Sequence, residues 1–491
     1  MRGQIEHLYN YPRGFMLLCA VEMGERFAFY GMRSLLILYM TSALSLPDSQ
    51  AYSLYAAAIA LCYATPLAGG LLADRVLGLH RCIIIGSFCM MAGYACLAQS
   101  NLQLFYWGLA LIITGTGLFK SNISTLVGSL YAPQDSGRDA GYTLFYVSIN
   151  VGAFIAPLAC SFLSHVYGWS YGLGLSSFGM LLCLVIFLKT VKSFVADSTR
   201  RDEPWLRRFP YRQTLFYIGL VAAVPTLAVL LKHPELFDYT LPLLGLSTIL
   251  ILIVLAMSLH KEARQRLAVI ALLMGFQIIF FALFEQAGST LNLFAQRYIN
   301  RQVFSFIIPA SSLQSLNPAF TVFLAPALAG LWGHLGRKRR DPHPAFKFSL
   351  ALFLMGAGFA ALVIGVSLSS ASPPMPLIWV LLAFLFHSLG EFCLAPVGMS
   401  MVTKLAPKGL TSFIMGLWFS SLSVSHYLAG VIARFLGPSG EASMREGSLA
   451  AYGALFQGCM IIAFVAGTIL LLLAFRLTSA FEKFSQPEEG E

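Results

Sequence analysis

The chain has 491 residues, of which 57% are hydrophobic and only 11% are charged. About a quarter of the residues in soluble domains are charged, so this composition excludes an ordinary soluble protein. The net charge of +10 raises the question of a nucleic-acid partner. The basic residues, however, gather in alternate loops between apolar segments, as the positive-inside rule describes for membrane proteins. We therefore predict no nucleic-acid partner and place both termini in the cytoplasm.

Apolar runs of about 20 residues, each long enough to cross a bilayer as a helix, recur along the whole chain. We predict 14 such helices, centred at roughly residues 29, 62, 90, 115, 152, 180, 221, 249, 280, 323, 358, 390, 424 and 463. No cleaved signal peptide is predicted before the first of them. The nine cysteines lie in or at the ends of these helices, and we interpret them as small packing residues.

The longest polar linker, near residues 190–212, follows the sixth helix and separates two groups of helices. Pro66 and Pro326 are 260 residues apart, and so are Glu25 and Glu285, which indicates two similar six-helix halves. The seventh and eighth helices resemble an inserted pair. We predict a six-helix bundle over 1–190, linkers and the inserted pair over 191–265, a second six-helix bundle over 266–478 and a cytoplasmic tail over 479–491.

Charged residues inside the apolar helices are the main functional signal in the sequence. Seven of them are present: Glu22, Glu25, Arg26, Arg33, Lys120, Glu285 and Glu391. Each would cost roughly 2.5–3.5 kcal/mol at the centre of a membrane helix, so they need partners or a wet cavity. The four in the first helix share one helical face with Phe29 and Tyr30, and that face is predicted to point into the protein.

The directions of the helices suggest how these charges pair. They permit Arg33 to pair with Glu285 towards the outside, and Lys120 to pair with Glu391 or Glu22 towards the inside. Two ion pairs at opposite ends of a cavity are what alternating gates require. Four acids face three bases, so one acid is predicted to lack a permanent partner and to load and release a proton. The alternative is a set of fixed packing ion pairs.

The segment EMGERFAFYGMR at 22–33 resembles the E-x-x-E-R-F-x-Y-Y signature of the proton-dependent oligopeptide transporter family. Seven further segments resemble other motifs of that family: GGLLADRVLG (69–78), GTGLFKSNIS (115–124), FYVSINVGAF (145–154), FEQAGST (284–290), QSLNPAF (314–320), LGEFCLAPVGMS (389–400) and GLWFSS (416–421). The resemblance covers nearly the whole helical core in the right order. It implies an all-α major facilitator fold of two six-helix bundles plus two inserted helices, in the bacterial inner membrane.

The resemblance also implies roles for individual residues. Proton coupling is implied for Glu22, Glu25, Arg26, Lys120 and Glu285. Contact with a bound peptide is implied for Arg26, Tyr30, Arg33, Tyr63, Lys120, Asn150, Glu285, Asn317, Glu391 and Trp418. Lys120 matches the family's lysine that binds the peptide carboxylate, and Glu391 matches the acid that receives the peptide's amino terminus. Gating is implied for the pairs Arg33–Glu285 and Lys120–Glu391.

Some positions depart from the family pattern. Phe29 replaces the first tyrosine of the usual pair, and Ala56 stands where animal members carry a histidine. These changes bear on substrate range and on which group handles the proton. His387 and His426 also lie in apolar helices, where we favour packing or a hydrogen bond over a proton relay.

We therefore expect a proton-coupled symporter that imports di- and tripeptides by alternating access, with the proton as its coupling ion. No other cofactor, no metal site and no catalytic activity are expected, and the protein is expected to act as a monomer within membrane lipid. A major facilitator transporter of another small solute, such as an amino acid, nitrate or a drug, is the alternative. A non-transporting membrane receptor is a second alternative from a different class.

Overall fold

The computed structural model describes residues 12, 14–131, 138–198, 210–338, 342–369, 374–407, 410–436 and 449–484. Part of the predicted polar linker and most of the predicted tail lie outside these described residues. Helices make up nearly all of the described chain. The earlier helices are α1 (Phe15–Ser42), α2 (Asp48–Leu72), α3 (Leu79–Leu97), α4 (Leu102–Ser129), α5 (Arg138–Tyr167), α6 (Trp169–Ser198) and α7 (Pro210–Leu230).

The later helices include one that is interrupted. They are α8 (Phe237–Ser258), α9 (Lys261–Phe284), the short α10 (Thr290–Tyr298), α11 (Leu316–Arg337), α12 (Pro344–Ser369), α13 (Ile378–Leu405), α14 (Thr411–Leu436) and α15 (Leu449–Phe484). A 3-10 turn over Glu285–Gly288 separates α9 from α10, and a π-helical turn over Ala73–Leu77 follows α2. With α9 and α10 counted as one interrupted segment, the described residues hold 14 long helical segments, and the predicted number is confirmed.

Four two-residue strands occur among the described residues. They are β1 (Ile299–Asn300), β2 (Gln302–Val303), β3 (Phe306–Ile307) and β4 (Met375–Pro376). β1 pairs in parallel with β4, and β2 pairs antiparallel with β3. Strands this short add local backbone hydrogen bonds between helices and do not form a sheet core.

Ten helical segments of the described chain are long and apolar enough to cross a membrane. Two shorter apolar helices lie within α7 and α8, at Phe216–Leu230 and Gly245–Ser258. α1 is not among these ten apolar segments, because it carries four charged side chains. The protein is a multi-pass membrane protein, as its composition predicts.

The described chain groups into two compact units. Unit 1 comprises Met1–Leu46, Leu61–Pro234 and Ser311–Pro318, and unit 2 comprises Pro47–Ala60, Glu235–Ala310 and Ala319–Glu491. The domain limits predicted from the sequence stay a prediction.

Small residues set the helix packing in unit 1. α3 packs along α4, where Gly93 faces the backbone of Gly108. α1 packs against α5 and α6, and Gly24 and Gly31 lie against the thiols of Cys183 and Cys160. A larger side chain at any of these glycines would collide with its neighbour, so close approach of the backbones depends on them. α7 packs against α4 and the π-helical turn.

Unit 2 is organised around α12, which packs against α13 and α15, and around α9, which packs against α14. α8 contacts α9 and α14. An ion pair joins two helix ends, since both guanidinium nitrogens of Arg297 bind the carboxylate of Asp48, at 2.6 and 2.8 Å. The ring of Tyr452 on α15 adds a hydroxyl 3.4 Å from Nη1 of Arg297.

Candidate functional site

Three charged side chains of α1 form a compact buried group in unit 1. Nη2 of Arg26 donates to Oε1 of Glu25 at 2.7 Å, and Nε of Arg26 also donates to Glu25. The same Nε lies 3.4 Å from Oε1 of Glu22, one turn earlier in the helix. Glu22, Glu25 and Arg26 are 4%, 0% and 3% exposed, which confirms that this face of α1 points into the protein.

One oxygen atom of this group lacks a hydrogen-bond partner in the described chain. Within the part of the chain that the structure describes, Oε2 of Glu22 has no hydrogen-bond partner. A buried polar atom without a partner costs roughly 1–3 kcal/mol, and more when it is charged.

Lys120 on α4 is close enough to this group to interact electrostatically with Glu22, Glu25 and Arg26. Its Nζ also lies over the ring of Tyr63 on α2, 3.7 Å from the ring centroid. A cation over an aromatic face is stabilised by the ring's negative quadrupole. Unit 1 thus brings together two acids, two bases and an aromatic ring that the sequence predicted to act together.

Two neighbours of Lys120 in the sequence fix α4 to α2. Ser121 Oγ donates to the carbonyl of Pro66 at 3.0 Å, and Asn122 Nδ2 donates to the carbonyl of Gly69 at 3.3 Å. Gly69 also lies directly against the backbone of Gly117, where a Cβ would have no space. These contacts hold α4 close to α2, the helix that carries Tyr63.

α5 reaches the charged face of α1 through Gly152, which lies against the backbone of α1 at Met23 and Phe27. Asn150 is half-buried near this contact, and its Nδ2 donates to the carbonyl of Tyr146 at 2.9 Å. This bond uses the amide nitrogen, so the side-chain carbonyl oxygen of Asn150 can accept hydrogen bonds from other donors.

Asn317 belongs to a segment, Ser311–Pro318, that groups with unit 1. Ser315 Oγ donates to the carbonyl of Phe154 on α5 at 2.8 Å. Gln314 Nε2 lies 3.4 Å from the carbonyl of Ser34 on α1. The residues just before Asn317 therefore contact α5, which carries Asn150, and α1.

Cation–aromatic contacts continue along α1. The guanidinium carbon of Arg26 lies 5.2 Å from the ring centroid of Phe29, and that of Arg33 lies 5.7 Å from the ring centroid of Tyr30. Arg33 is buried, with 7% of its surface exposed. The predicted pairs Arg33–Glu285 and Lys120–Glu391 each take one residue from each unit, so they stay predictions.

In unit 2, Glu285 lies at the point where α9 ends and the 3-10 turn begins. Its Oε2 is 3.3 Å from Nδ1 of His426 on α14. The next residue is fixed to the same helix, because Gln286 Nε2 donates to the carbonyl of Ala429 at 2.9 Å. His426 was interpreted from the sequence as a packing or hydrogen-bonding residue, and the structure gives it an acidic partner.

Glu391 and Trp418 lie on neighbouring helices of unit 2. Glu391 is half-buried on α13. Trp418 on α14 is 3% exposed and packs against Phe348 of α12 and Gly398 of α13. Its predicted role as a wall of the substrate pocket stays a prediction, and packing is the role that these contacts support.

The contacts that hold the site residues in place were not predicted from the sequence. A signal for His426 was available, since a histidine inside an apolar helix needs a polar partner. No sequence signal identified Ser121 and Asn122 as the residues that fix Lys120. Within the described ranges, no group of three or more His, Cys, Asp or Glu side chains is arranged to hold a metal ion.

Comparisons with known proteins agree along almost the whole chain. The profile of the POT family (PTR2) matches residues 80–447. "Dipeptide and tripeptide permease A" of Proteus mirabilis is 32% identical over 470 residues, which cover 95% of this chain and 94% of that protein. "Peptide transporter YePEPT" of Yersinia enterocolitica is 33% identical over 494 residues, with 95% and 94% of the two chains covered.

Solved structures give the same result for the fold. A crystal structure of "peptide transporter POT in complex with sulfate" matches with a TM-score of 0.83 and 32% sequence identity, covering 96% of each chain. A structure of "a POT family transporter in complex with thioalcohol conjugated peptide" matches with a TM-score of 0.80 and 26% identity, covering 97% of this chain and 98% of that one. The predicted all-α major facilitator fold is confirmed.

Proposed function

This chain belongs to the POT family, and we propose on that premise that it imports di- and tripeptides together with protons by alternating access. Its relatives named as dipeptide and tripeptide permeases support the choice of substrate. Their similarity extends over more than nine tenths of both chains, so the proposal concerns the whole protein rather than one part of it.

The buried group of Glu22, Glu25, Arg26 and Lys120 is the observation that carries the proposal. Its two acids and two bases lie within electrostatic range of one another in a helical unit that spans the membrane. Fixed structural pairs would leave each charge with one good partner, but here Arg26 is shared between two carboxylates. A shared base allows a proton or a substrate carboxylate to enter the group without leaving a lone buried charge.

A zwitterionic peptide would be oriented by its two charged ends. Lys120 and Arg26 would bind the terminal carboxylate, and Glu391 would receive the terminal ammonium. Asn150 and Asn317 would hydrogen-bond the peptide backbone. Tyr30, Tyr63 and Trp418 would border the side-chain pockets. Such a site binds groups that all short peptides share, so it would accept many side chains.

The transport cycle would use the remaining charges as gates. Glu22, Glu25 or Glu285 takes up a proton from the outside, and the peptide then binds between Lys120 and Glu391. Arg33 and Glu285 close the outer side while Lys120 separates from Glu391, which opens the inner side. The proton is the only coupling ion in this scheme, and no step breaks a covalent bond in the peptide.

The proposed setting is the bacterial inner membrane, with both termini in the cytoplasm and the monomer as the working unit. The alternate distribution of basic loops supports this orientation. Protons, peptides and lipid would be the partners of the chain.

Labelled dialanine uptake into proteoliposomes tests the proposal. We expect accumulation that requires an inward proton gradient and collapses with a protonophore. A competition panel of dipeptides, free amino acids, nitrate and a drug-like cation identifies the substrate class. Competition by free amino acids but not by dipeptides would replace the peptide with another solute. Folded, inserted protein without exchange of any of these solutes would contradict a transport function.

A further inference from the structure

Glu285 has a histidine partner on another helix of the same unit. Nδ1 of His426 lies 3.3 Å from Oε2 of Glu285, and the two residues are 5% and 6% exposed. In this position the imidazole can donate its Nδ1–H to the carboxylate whether or not its second nitrogen is protonated.

This contact is one of several polar contacts that join α9 and its turn to α14. Gln277 Nε2 donates to Ser421 Oγ at 2.9 Å, and Gln286 Nε2 donates to the carbonyl of Ala429 at 2.9 Å. The contacts advance together along both helices, so the helices run parallel. The histidine–glutamate contact lies between these two, at the position where α9 stops.

Side-chain hydrogen bonds add to the backbone bonds of the turn, in which the Ser289 N–H donates to the carbonyl of Gln286 at 3.2 Å. Thr290 Oγ1 donates to Oε1 of Gln286 at 2.8 Å, which orients the amide that bonds α14. The backbone at Glu285 is thus fixed by its neighbour in the sequence, while the side chain at Glu285 is fixed by His426. These two constraints together define the position of a buried carboxyl group.

We propose that His426 is a positioning residue for Glu285, which holds the carboxyl group in one orientation by donating a hydrogen bond from Nδ1 to Oε2. The inference rests on the proposed function, in which Glu285 is one of three candidate proton carriers and part of the outer gate. His426 does not contact the peptide in this account. It acts through Glu285.

The hydrogen bond also links the protonation of Glu285 to the packing of α14. A hydrogen bond to an ionised carboxylate is roughly twice as strong as one between neutral groups. Protonation of Glu285 therefore weakens the contact between the 3-10 turn and α14. Trp418, which the proposed function assigns to the peptide pocket, lies on the same helix as His426, about two turns earlier.

Two substitutions test whether His426 acts by donating a hydrogen bond or only by filling space. His426→Asn keeps an N–H donor near the position of Nδ1, whereas His426→Leu removes the donor. We expect His426→Leu to lower gradient-driven dialanine accumulation about tenfold while counterflow exchange persists, and His426→Asn to stay within about threefold of the wild type. Thermal unfolding of each purified variant checks its folding.

His387 provides the matched control. It is a second buried histidine, on α13, whose ring lies 4.8 Å from that of Phe359. His387→Asn and His387→Leu are the same two substitutions as those made at His426, but at a site where the imidazole packs against an aromatic ring. Both are expected to keep the wild-type ratio of gradient-driven uptake to counterflow.

Two transport results overturn the proposal. Normal gradient-driven accumulation by His426→Leu means that His426 does not position Glu285. Equal failure of His426→Asn and His426→Leu, with counterflow intact, means that the histidine must itself titrate and is not a positioning residue.

An infrared measurement decides the question without transport. The carboxyl band of Glu285 is identified by its loss in Glu285→Gln. It should keep its frequency in His426→Asn and shift in His426→Leu, and an unchanged band in His426→Leu overturns the proposal. Failure of the wild type to concentrate dialanine would contradict the proposed function instead, and the infrared result would still stand.

Discussion

Arg26 contacts two carboxylates of its own helix, but not equally. Glu25 accepts two hydrogen bonds from the guanidinium, one of them at 2.7 Å, whereas Glu22 has a single contact of 3.4 Å. Oε2 of Glu22 has no hydrogen-bond partner in the described chain. On these differences we propose that Glu25 is the fixed partner of Arg26 and that Glu22 is the acid of this group that takes up the proton.

Glu22→Gln should uncouple transport from the proton gradient. The amide keeps the size of the side chain but cannot carry a proton, so gradient-driven accumulation of dialanine should fall about tenfold or more while counterflow persists. Glu25→Gln is the matched variant on the same face. It removes the main partner of a buried guanidinium, which costs about 3–5 kcal/mol, so its first effect should be a lower unfolding temperature. Undiminished accumulation by Glu22→Gln would contradict its role.

Lys120→Ala should abolish the distinction between dipeptides with and without a terminal carboxylate. The lysine ammonium lies over Tyr63 and next to the α1 acids, where a substrate carboxylate would replace part of its present interactions. The measurement is competition of labelled dialanine counterflow by unlabelled dialanine and by its C-terminal amide. The wild type should prefer the free acid by about tenfold, a difference of ~1.4 kcal/mol, and the variant should lose that preference. An unchanged preference in the variant would assign the carboxylate to another residue.

At the scale of helices, the position of Lys120 depends on how closely α4 approaches α2. Gly69 faces the backbone of Gly117, and a Cβ at Gly117 would lie 2.8 Å from Cβ of Thr65. Ser121 and Asn122 complete the contact through carbonyls of α2. Glycines and small polar side chains in this segment therefore keep two helices in the register that the site needs.

Gly117→Ala should lower stability by about 1–3 kcal/mol, because the added methyl group forces α4 away from α2. Thermal unfolding of the purified protein measures this loss. Gly275→Ala on α9 is the control, since an added Cβ there meets nothing within 4 Å in the described chain. The control should be neutral or slightly stabilising. Equal unfolding temperatures for the two variants would show that the contact between α2 and α4 does not depend on Gly117.

Much of the helical organisation was predictable, since lipid requires long apolar helices wherever the chain crosses the membrane. The break at Glu285 was not predicted, since the sequence indicates one helix centred near residue 280. Beside the break, Gln286 bonds to the carbonyl of Ala429, far away in the sequence. In the same way, the sequence identified the charged residues of the site, because they lie inside apolar helices, but it did not identify His426 as the partner of Glu285. Both features involve contacts between distant segments.

At the scale of the whole molecule, α2 contributes to both units: residues 47–60 group with unit 2 and the rest with unit 1. The first part is held within unit 2 by the paired hydrogen bonds between Asp48 and Arg297. Ser423 on α14 adds a hydrogen bond of 2.7 Å to the carbonyl of Ala60. One continuous helix is thus stabilised by two different sets of neighbours.

A double-mutant cycle on Asp48 and Arg297 measures how strongly the start of α2 is held. Asp48→Asn and Arg297→Gln should each lower stability. The coupling free energy between them should be about 0.5–1 kcal/mol, because the pair is bidentate but partly exposed. The charge-reversed double variant, Asp48→Arg with Arg297→Asp, should recover part of the loss. A coupling free energy of zero would mean that the pair does not hold α2.

We propose above all that peptides and protons cross the membrane together through this protein. The most direct test records the internal pH of proteoliposomes, with a trapped fluorescent indicator, after dialanine is added outside at equal pH on both sides and an inside-negative potential. We predict acidification of the interior that depends on the peptide and is lost in Glu22→Gln. Dialanine entry without any change of internal pH would contradict it.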